Sequence, residues 1–298
     1  MKDRRADFGF PHGDWLETLL DASLAEDVGA GDATTAVAVA PGLAAEGWIV
    51  ARRDGVVAGL PLLPGLFRRL SPAVVVEELA ADGDRVAAGC RLARIGGPAA
   101  PILTGERTAL NFLQHLGGIA TLTAQYVDRV AGTGCAVLDT RKTLPGFRLL
   151  DKYAVRCGGG ANHRLGLFDR ILLKDNHWAA RAAPLADLVA RSRAEFPGLA
   201  VEVEVDTLAQ LDETLPLAVE WILLDNFAPD LAARAVRRRD AGPAAGRTTR
   251  LEASGNVDLG TVRAFAETGI DAVSVGRLTH SAPAWDLGLD FAPRGGTS

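Results

Sequence analysis

After residue 130, short apolar runs recur along the chain, and each ends on polar or glycine residues: CAVLDTRK, RILLKDNH, VEVEVD, WILLDNF, RLEASGN and AVSVGRL. Segments with helical spacing separate several of them, including PLADLVARSRAEF, TLAQLDETL, PDLAARAVRRR and DLGTVRAFAETG. Strand, polar end and helix in repetition is the pattern of parallel βα units. Six such strands in roughly 170 residues fall short of the ~250 residues of an eightfold barrel. The pattern therefore predicts an incomplete α/β barrel, with a doubly wound open sheet as the alternative. In either fold the functional face lies at the carboxyl ends of the strands, where the polar residues sit.

The first hundred residues read differently. Residues 14–28 have helical spacing, and EGWIVARRDGVVAG and GDRVAAGCRLARIGG predict short strands joined by glycine-centred turns. Next, TGERTALNFLQHLGGIATLTAQYVDRVAG predicts a long helix despite Gly117 and Gly118, with Thr104 as N-cap. Arg107 then falls in its first turn, against the helix dipole. Either Glu106 offsets it at the surface, or the turn is an anion site. The expected division is an N-terminal α+β domain over 1–110, joined by residues 281–298, and an α/β barrel over 111–280. The tract RRRDAGPAAGRTTR (237–250) is expected to be an exposed loop.

Composition narrows the class. Hydrophobic residues make up 48% of the 298 and charged residues 23%, enough for a sizeable core. A net charge of −5 gives no support to a nucleic-acid binder. Cys90, Cys135 and Cys157 form no CxxC pair, which fits a reducing compartment and argues against a thiolate zinc site. No apolar run approaches the ~20 residues of a membrane helix, and the start lacks a signal-peptide core. The expected location is the cytoplasm.

The candidate chemistry lies between Asp139 and His177. This segment holds eight Arg or Lys, four Asp and no Glu, a local charge of +4 in an acidic protein. Of the 32 basic residues only four are Lys, yet Lys142 and Lys174 both stand at strand ends. That suits a compact ammonium beside Arg141, whose planar fork grips a carboxylate at two points. The five asparagines (Asn111, Asn162, Asn176, Asn226 and Asn256) all fall in the helix or strand-end strings. In VEVEVD, Glu202, Glu204 and Asp206 share one strand face, and Asp225 ends the next strand. Such carboxylates either pair with the Arg and Lys above or, as Glu204 and Asp225, hold Mg2+ through water. The final strands end in Ser254-Gly255-Asn256 and Val275-Gly276-Arg277, where backbone N–H groups could cradle a phosphate or the glycines simply turn the chain.

Taken together, GERTALNFLQHLGGIATLT, LDTRKTLPG, KYAVRCGGGANHRLGL, ILLKDNH, VEVEVD, LLDN, LEASG and SVGRLTHS resemble the quinolinate phosphoribosyltransferase family, the carboxylating nicotinate-nucleotide pyrophosphorylases. The resemblance runs from about residue 24 to 282. It implies an N-terminal α+β sandwich domain and an incomplete six-to-seven-stranded α/β barrel. It implies transfer of phosphoribose from phosphoribosyl pyrophosphate (PRPP) to quinolinate, with Mg2+, giving nicotinate mononucleotide, pyrophosphate and CO2. By similarity, Arg141, His163, Arg164 and Lys174 surround the quinolinate carboxylates, Thr140 is a further substrate-binding residue, and Arg107 comes from the other subunit of a homodimer. Lys142, Glu204 and Asp225 handle PRPP and the metal; residues Ser254, Gly255, Asn256, Val275, Gly276 and Arg277 take the 5′-phosphate. Lys142, Lys174, Glu204 and Asp225 are the catalytic set. The chain departs from the family at Asn256, where Gly is common, at Arg277, where a small residue is common, and at Ala161, where a polar one is. A paralogue acting on another aromatic acid and a non-catalytic binder of PRPP or a pyridine acid are the alternatives.

Overall fold

The computed structural model describes residues 9–174, 177, 180, 183–242 and 244–294; Asn176 and the tail 295–298 lie outside them. In chain order come helices α1 (Asp14–Val28) and α2 (Ala33–Ala38), strands β1 (Ala44–Ala51) and β2 (Gly55–Val56), and helix α3 (Leu62–Leu70). Strands β3 (Val75–Glu78), β4 (Arg85–Val86) and β5 (Arg91–Pro98) lead into helix α4 (Ala99–Val130). Strand β6 (Ala136–Leu138), helix α5 (Arg148–Cys157) and strands β7 (Ile171–Leu173), β8 (Val201–Val205), β9 (Trp221–Asp225), β10 (Arg250–Ser254) and β11 (Ala272–Ser274) follow; β12 (Leu287–Arg294) is last.

The described residues within 1–124, 144–159 and 281–298 form one compact unit, and those within 125–143 and 160–280 another. The expected boundary at 110/111 falls inside α4. In the first unit an antiparallel sheet runs β12-β1-β5-β3. Ile49 pairs with Leu289 on one side and Ala93 on the other, so the C-terminal strand completes this sheet. Alternate β1 residues Ala45 and Ile49 are fully buried, as are Leu62, Leu66 and Phe67 of α3.

Helix α4 begins five residues before Thr104, so Thr104 is not its N-cap and Arg107 lies beyond its first turn. Pro101 fits the opening turn, where its missing N–H would have no helical partner, and Ala99 N–H donates to Leu43 O at 2.8 Å. The Thr104 hydroxyl donates instead to Asp32 Oδ2 at 3.0 Å. Gly117 and Gly118 persist mid-helix because the chain at 283–285 lies against them. A Cβ on Gly117 would meet Trp285 Cε3 at 2.4 Å, and one on Gly118 would meet Pro283 O at 2.2 Å.

The second unit is a parallel six-stranded sheet ordered β6-β11-β10-β9-β8-β7. All six strands correspond to the apolar runs read in sequence. From β7 to β11 the order never reverses, and β6 lies beside β11. A doubly wound sheet reverses midway, whereas this is the order of a barrel opened between β6 and β7. Ala161, in the segment joining those two strands, bridges to Leu138 of β6. The tract 237–250 is not an exposed loop: the helix Pro229–Ala241 runs into it, a 3-10 turn spans Ala244–Thr248, and β10 starts at Arg250. Thr249 is buried and donates to Val219 O at 2.7 Å, which ties the tract down.

Candidate active site

Asp139, the first residue beyond β6, is fully buried. Its Oδ1 accepts from His163 N–H at 2.9 Å and its Oδ2 from Asn162 Nδ2 at 2.6 Å. One carboxylate thus holds the 161–164 segment against the end of β6, and Thr140, Arg141 and Lys142 share a cavity with His163 and Arg164. Thr279 Oγ1 donates to Lys142 O at 2.8 Å, fixing the backbone that carries this lysine. Burial, and then the neighbouring Arg141, push the Arg164 guanidinium below its ordinary proton affinity. Cations this crowded favour the arrival of an anion.

The next strands supply the acids. Parallel pairing sets Glu202 opposite Leu172 of β7 and Glu204 opposite Leu223 of β9. Every residue of β8 is buried, its glutamates included. Lys174, just past β7, donates from Nζ to Glu204 Oε2 at 2.6 Å. Glu202 lies deeper, with Oε2 3.1 Å from His163 Nε2 and 3.2 Å from an Arg170 guanidinium nitrogen. Glu252 on β10 is also fully buried, 3.6 Å from the same His163 nitrogen. Burial and then the charge of Glu202 push the Glu252 carboxyl up to about 7. The carboxyl of Glu202 is held below its usual range: burial opposes its charge most strongly, but His163 and Arg170 outweigh that. Of these two neighbouring acids, Glu202 is therefore favoured as the charged carboxylate, and Glu252 holds its proton to a higher pH than an ordinary glutamate.

At the ends of β9 and β10 the backbone turns tightly. Asn226 and Asn256 adopt left-handed φ values of 54° and 53°, a conformation asparagine tolerates better than other residues with a Cβ. Asn226 Nδ2 donates to Asp225 Oδ2 at 2.7 Å, and Asn226 N–H to Ser254 O at 2.9 Å. Gly255, with φ 90°, leaves room for this: a Cβ there would lie 2.2 Å from Asn226 Oδ1. Past Asn256, Asp258 Oδ1 accepts from the N–H groups of Gly260 and Thr261, both at 2.9 Å.

The carboxyl ends of these strands open onto one cavity of about 660 Å3, within the range of small-molecule sites. Of the residues expected at the site, Thr140, Arg141, Lys142, His163, Arg164 and Lys174 line it, with Glu204 and Asp225. So do Ser254, Gly255 and Asn256 from the end of β10, and Val275, Gly276 and Arg277 after β11. Arg107 does not; it is exposed on α4 in the first unit. The +4 segment divides. Arg148, Lys152 and Arg156 belong to α5 in the first unit, and Arg170 pairs with Glu202. Glu252, Ser274, Asp258 and His280 also line the cavity, without having been singled out in sequence. The signal for Glu252 was available: a lone acid inside the apolar run of a strand expected to be buried.

No described helix is long and apolar enough to cross a membrane. The profile of the quinolinate phosphoribosyl transferase N-terminal domain matches residues 32–117, and that of the C-terminal domain residues 119–290. The chain is 45% identical over 274 residues to a carboxylating nicotinate-nucleotide pyrophosphorylase of Mycobacterium leprae, covering 90% of this chain and 94% of that protein. It is 42% identical over 281 residues to a probable enzyme of the same name from Synechocystis sp., covering 93% and 92%. The solved nicotinate-nucleotide pyrophosphorylase of Francisella tularensis superposes with a TM-score of 0.87 at 36% identity, covering 95% of this chain and 98% of that one.

Proposed function

The chain belongs to the quinolinate phosphoribosyltransferase family, and from that premise we propose how its cavity carries out the reaction. The enzyme transfers phosphoribose from PRPP to the ring nitrogen of quinolinate and releases pyrophosphate and CO2, leaving nicotinate mononucleotide for NAD biosynthesis. The observation that carries the residue assignment is the meeting of Arg141, Lys142, Arg164 and Lys174 in one cavity with Glu204 and Asp225.

Two polyanions must be held together, and opposite unit charges about 4 Å apart attract by about 4 kcal/mol at an effective dielectric near 20. Arg141, Arg164 and Lys174 grip the two carboxylates. Lys142 meets the pyrophosphate, whose negative charge grows as it leaves. The turns at 254–256 and 275–277 receive the 5′-phosphate. Once the ring nitrogen bears ribose, the pyridinium accepts the electrons of the breaking C–CO2 bond, and a proton takes the place of CO2. No organic cofactor is needed.

Glu204 and Asp225 suit Mg2+. They are hard carboxylate donors at the ends of adjacent strands, and no thiol lines the cavity. When bound through water, the ion would neutralise charge on the pyrophosphate. The enzyme acts as a homodimer in which Arg107 serves the partner's cavity. What supports this is that Arg107 is exposed and does not line the cavity of its own chain. Incubating the protein with quinolinate, PRPP and Mg2+ should yield nicotinate mononucleotide and CO2. Absence of both at saturating substrate, with turnover of another aromatic acid, would move the assignment to a paralogous specificity.

A further inference from the structure

His163 faces three kinds of neighbour. Its Nδ1 accepts a hydrogen bond from the backbone N–H of Arg164 at 2.7 Å, so that nitrogen presents a lone pair. Its Nε2 points at Glu202 Oε2, 3.1 Å away, and Glu252 Oε2, 3.6 Å away. Arg170 stands behind Glu202, and its carbonyl oxygen accepts from Arg164 Nη1 at 3.2 Å. The backbone N–H of His163 is held by Asp139. Arg164 is therefore fixed at both ends: its main chain by the His163 ring, its guanidinium by the carbonyl of Arg170.

The ligand atoms of His163, Glu202 and Glu252 lie within 4.8 Å of one another, close enough for a metal ion. A metal would need the Nε2 lone pair, with the proton on Nδ1. The Arg164 N–H occupies that side, so a proton on Nε2 accounts for the cluster and a metal does not. We propose that His163 is a positioning residue: a neutral imidazole, protonated on Nε2 and anchored by Glu202 and Glu252, that fixes Arg164 for the substrate dicarboxylate instead of donating to it. This rests on the reading of the cavity as the quinolinate site. Burial is the largest influence on the ring and opposes its cation, but the two carboxylates raise its proton affinity above the ordinary histidine value. A second ring proton would have to sit on Nδ1, against the Arg164 N–H.

The test is nitrogen NMR on the full-length enzyme labelled in histidine, at neutral pH, with and without quinolinate. The His163 ring is assigned by its through-space contact to the Arg164 amide. The expected spectrum shows Nδ1 unprotonated and Nε2 protonated in both states. A doubly protonated ring, or a proton on Nδ1 in either state, would overturn the proposal. Calorimetry on the same samples reports whether quinolinate binds. A failure to bind would count against the functional reading, while the ligand-free spectrum would still decide the tautomer. Kinetics give a second arm. His163→Asn retains an acceptor oxygen where Nδ1 lies and should keep the KM for quinolinate within about threefold of wild type. His163→Leu removes the acceptor and should raise it about tenfold. Equal losses in two folded variants would sink the positioning role.

Discussion

Lys174 Nζ and Glu204 Oε2 lie 2.6 Å apart, joining the end of β7 to the adjacent strand β8. The glutamate side chain is 7% exposed and the lysine 42%. On the proposed reading, the cation assigned to the quinolinate carboxylates is thus paired with the acid assigned to the metal and PRPP, so an arriving carboxylate would compete with Glu204 for the ammonium.

Replacing this lysine separates function from stability. Lys174→Met should lower kcat/KM for quinolinate by at least ~100-fold, the size of effect seen when a site loses a charge aimed at the reacting groups. Its cost in folding free energy should stay below about 2 kcal/mol, since the half-exposed lysine lets solvent reach the pair although Glu204 is nearly buried. Steady-state kinetics beside a denaturant titration would check both, and a multi-kcal/mol destabilisation would make the pair structural.

Lys142→Arg keeps the charge and should still lose most activity. Lys142 Cδ already lies 3.1 Å from where a Cβ on Gly276 would project, so the room beside the stem is small. A planar guanidinium cannot take up the same point-charge position. Near-normal turnover by the arginine variant would remove the reason for a lysine here.

Sharing of Arg107 is open to subunit mixing. Arg107→Ala and Lys174→Ala should each be inactive alone. If they assemble at random into two-fold dimers, about a quarter of wild-type activity should return, because half the dimers carry one intact site in two. A mixture that exchanges subunits yet stays inactive would rule out a borrowed arginine.

The buried acids set a pH dependence of stability. Glu252 is raised from an ordinary 4.5 to about 7. Below pH 4.5 it is protonated in both folded and unfolded chains and contributes no difference. Between about 4.5 and 7 the unfolded chain releases the proton and the folded one keeps it, so stability falls as pH rises, by about 3 kcal/mol in total. Glu202 is shifted the other way, so its contribution is present above its unfolded value and lost as pH falls through the lower folded one. Glu252→Gln should flatten the decline between pH 4.5 and 7 and leave the acid limb. Urea melts across that range would show it, and an unchanged slope would place the proton elsewhere.

Much of this site was legible beforehand because parallel strands leave their polar residues at one end. The six short apolar runs, and the lysines and acids that close them, follow from run length and from the helical segments between them. Helix α5 was obscured because its Arg148, Lys152 and Arg156 share a charged segment with the true strand-end cations. Nothing local shows that 144–159 belongs to the other unit. Strand β3 is mostly exposed, VVEE, and carries no apolar alternation. The start of α4 was misread because Thr104 has the chemistry of a cap, while the real start is set by Pro101 and by the Ala99 bond to Leu43. Glu202 and Glu252 were visible as acids in strands, but their joint hold on His163 depends on a register no single run contains.

The turn after β10 offers the most local test. Gly255→Ala would place a methyl group 2.2 Å from Asn226 Oδ1 at a backbone φ of 90°. Asn226 must then move, and with it the hydrogen bond that orients Asp225. The expected result is a loss of about 1–3 kcal/mol of stability, typical of a strained backbone position, with a rise in KM for PRPP larger than that for quinolinate. Asn256→Gly is the matched control. It relieves the left-handed φ of 53° and removes only the 3.4 Å contact to Asn226, so its stability should change by less than about 0.5 kcal/mol. If Gly255→Ala raised both KM values equally, the turn would support the fold as a whole and not the Asp225 end of the cavity.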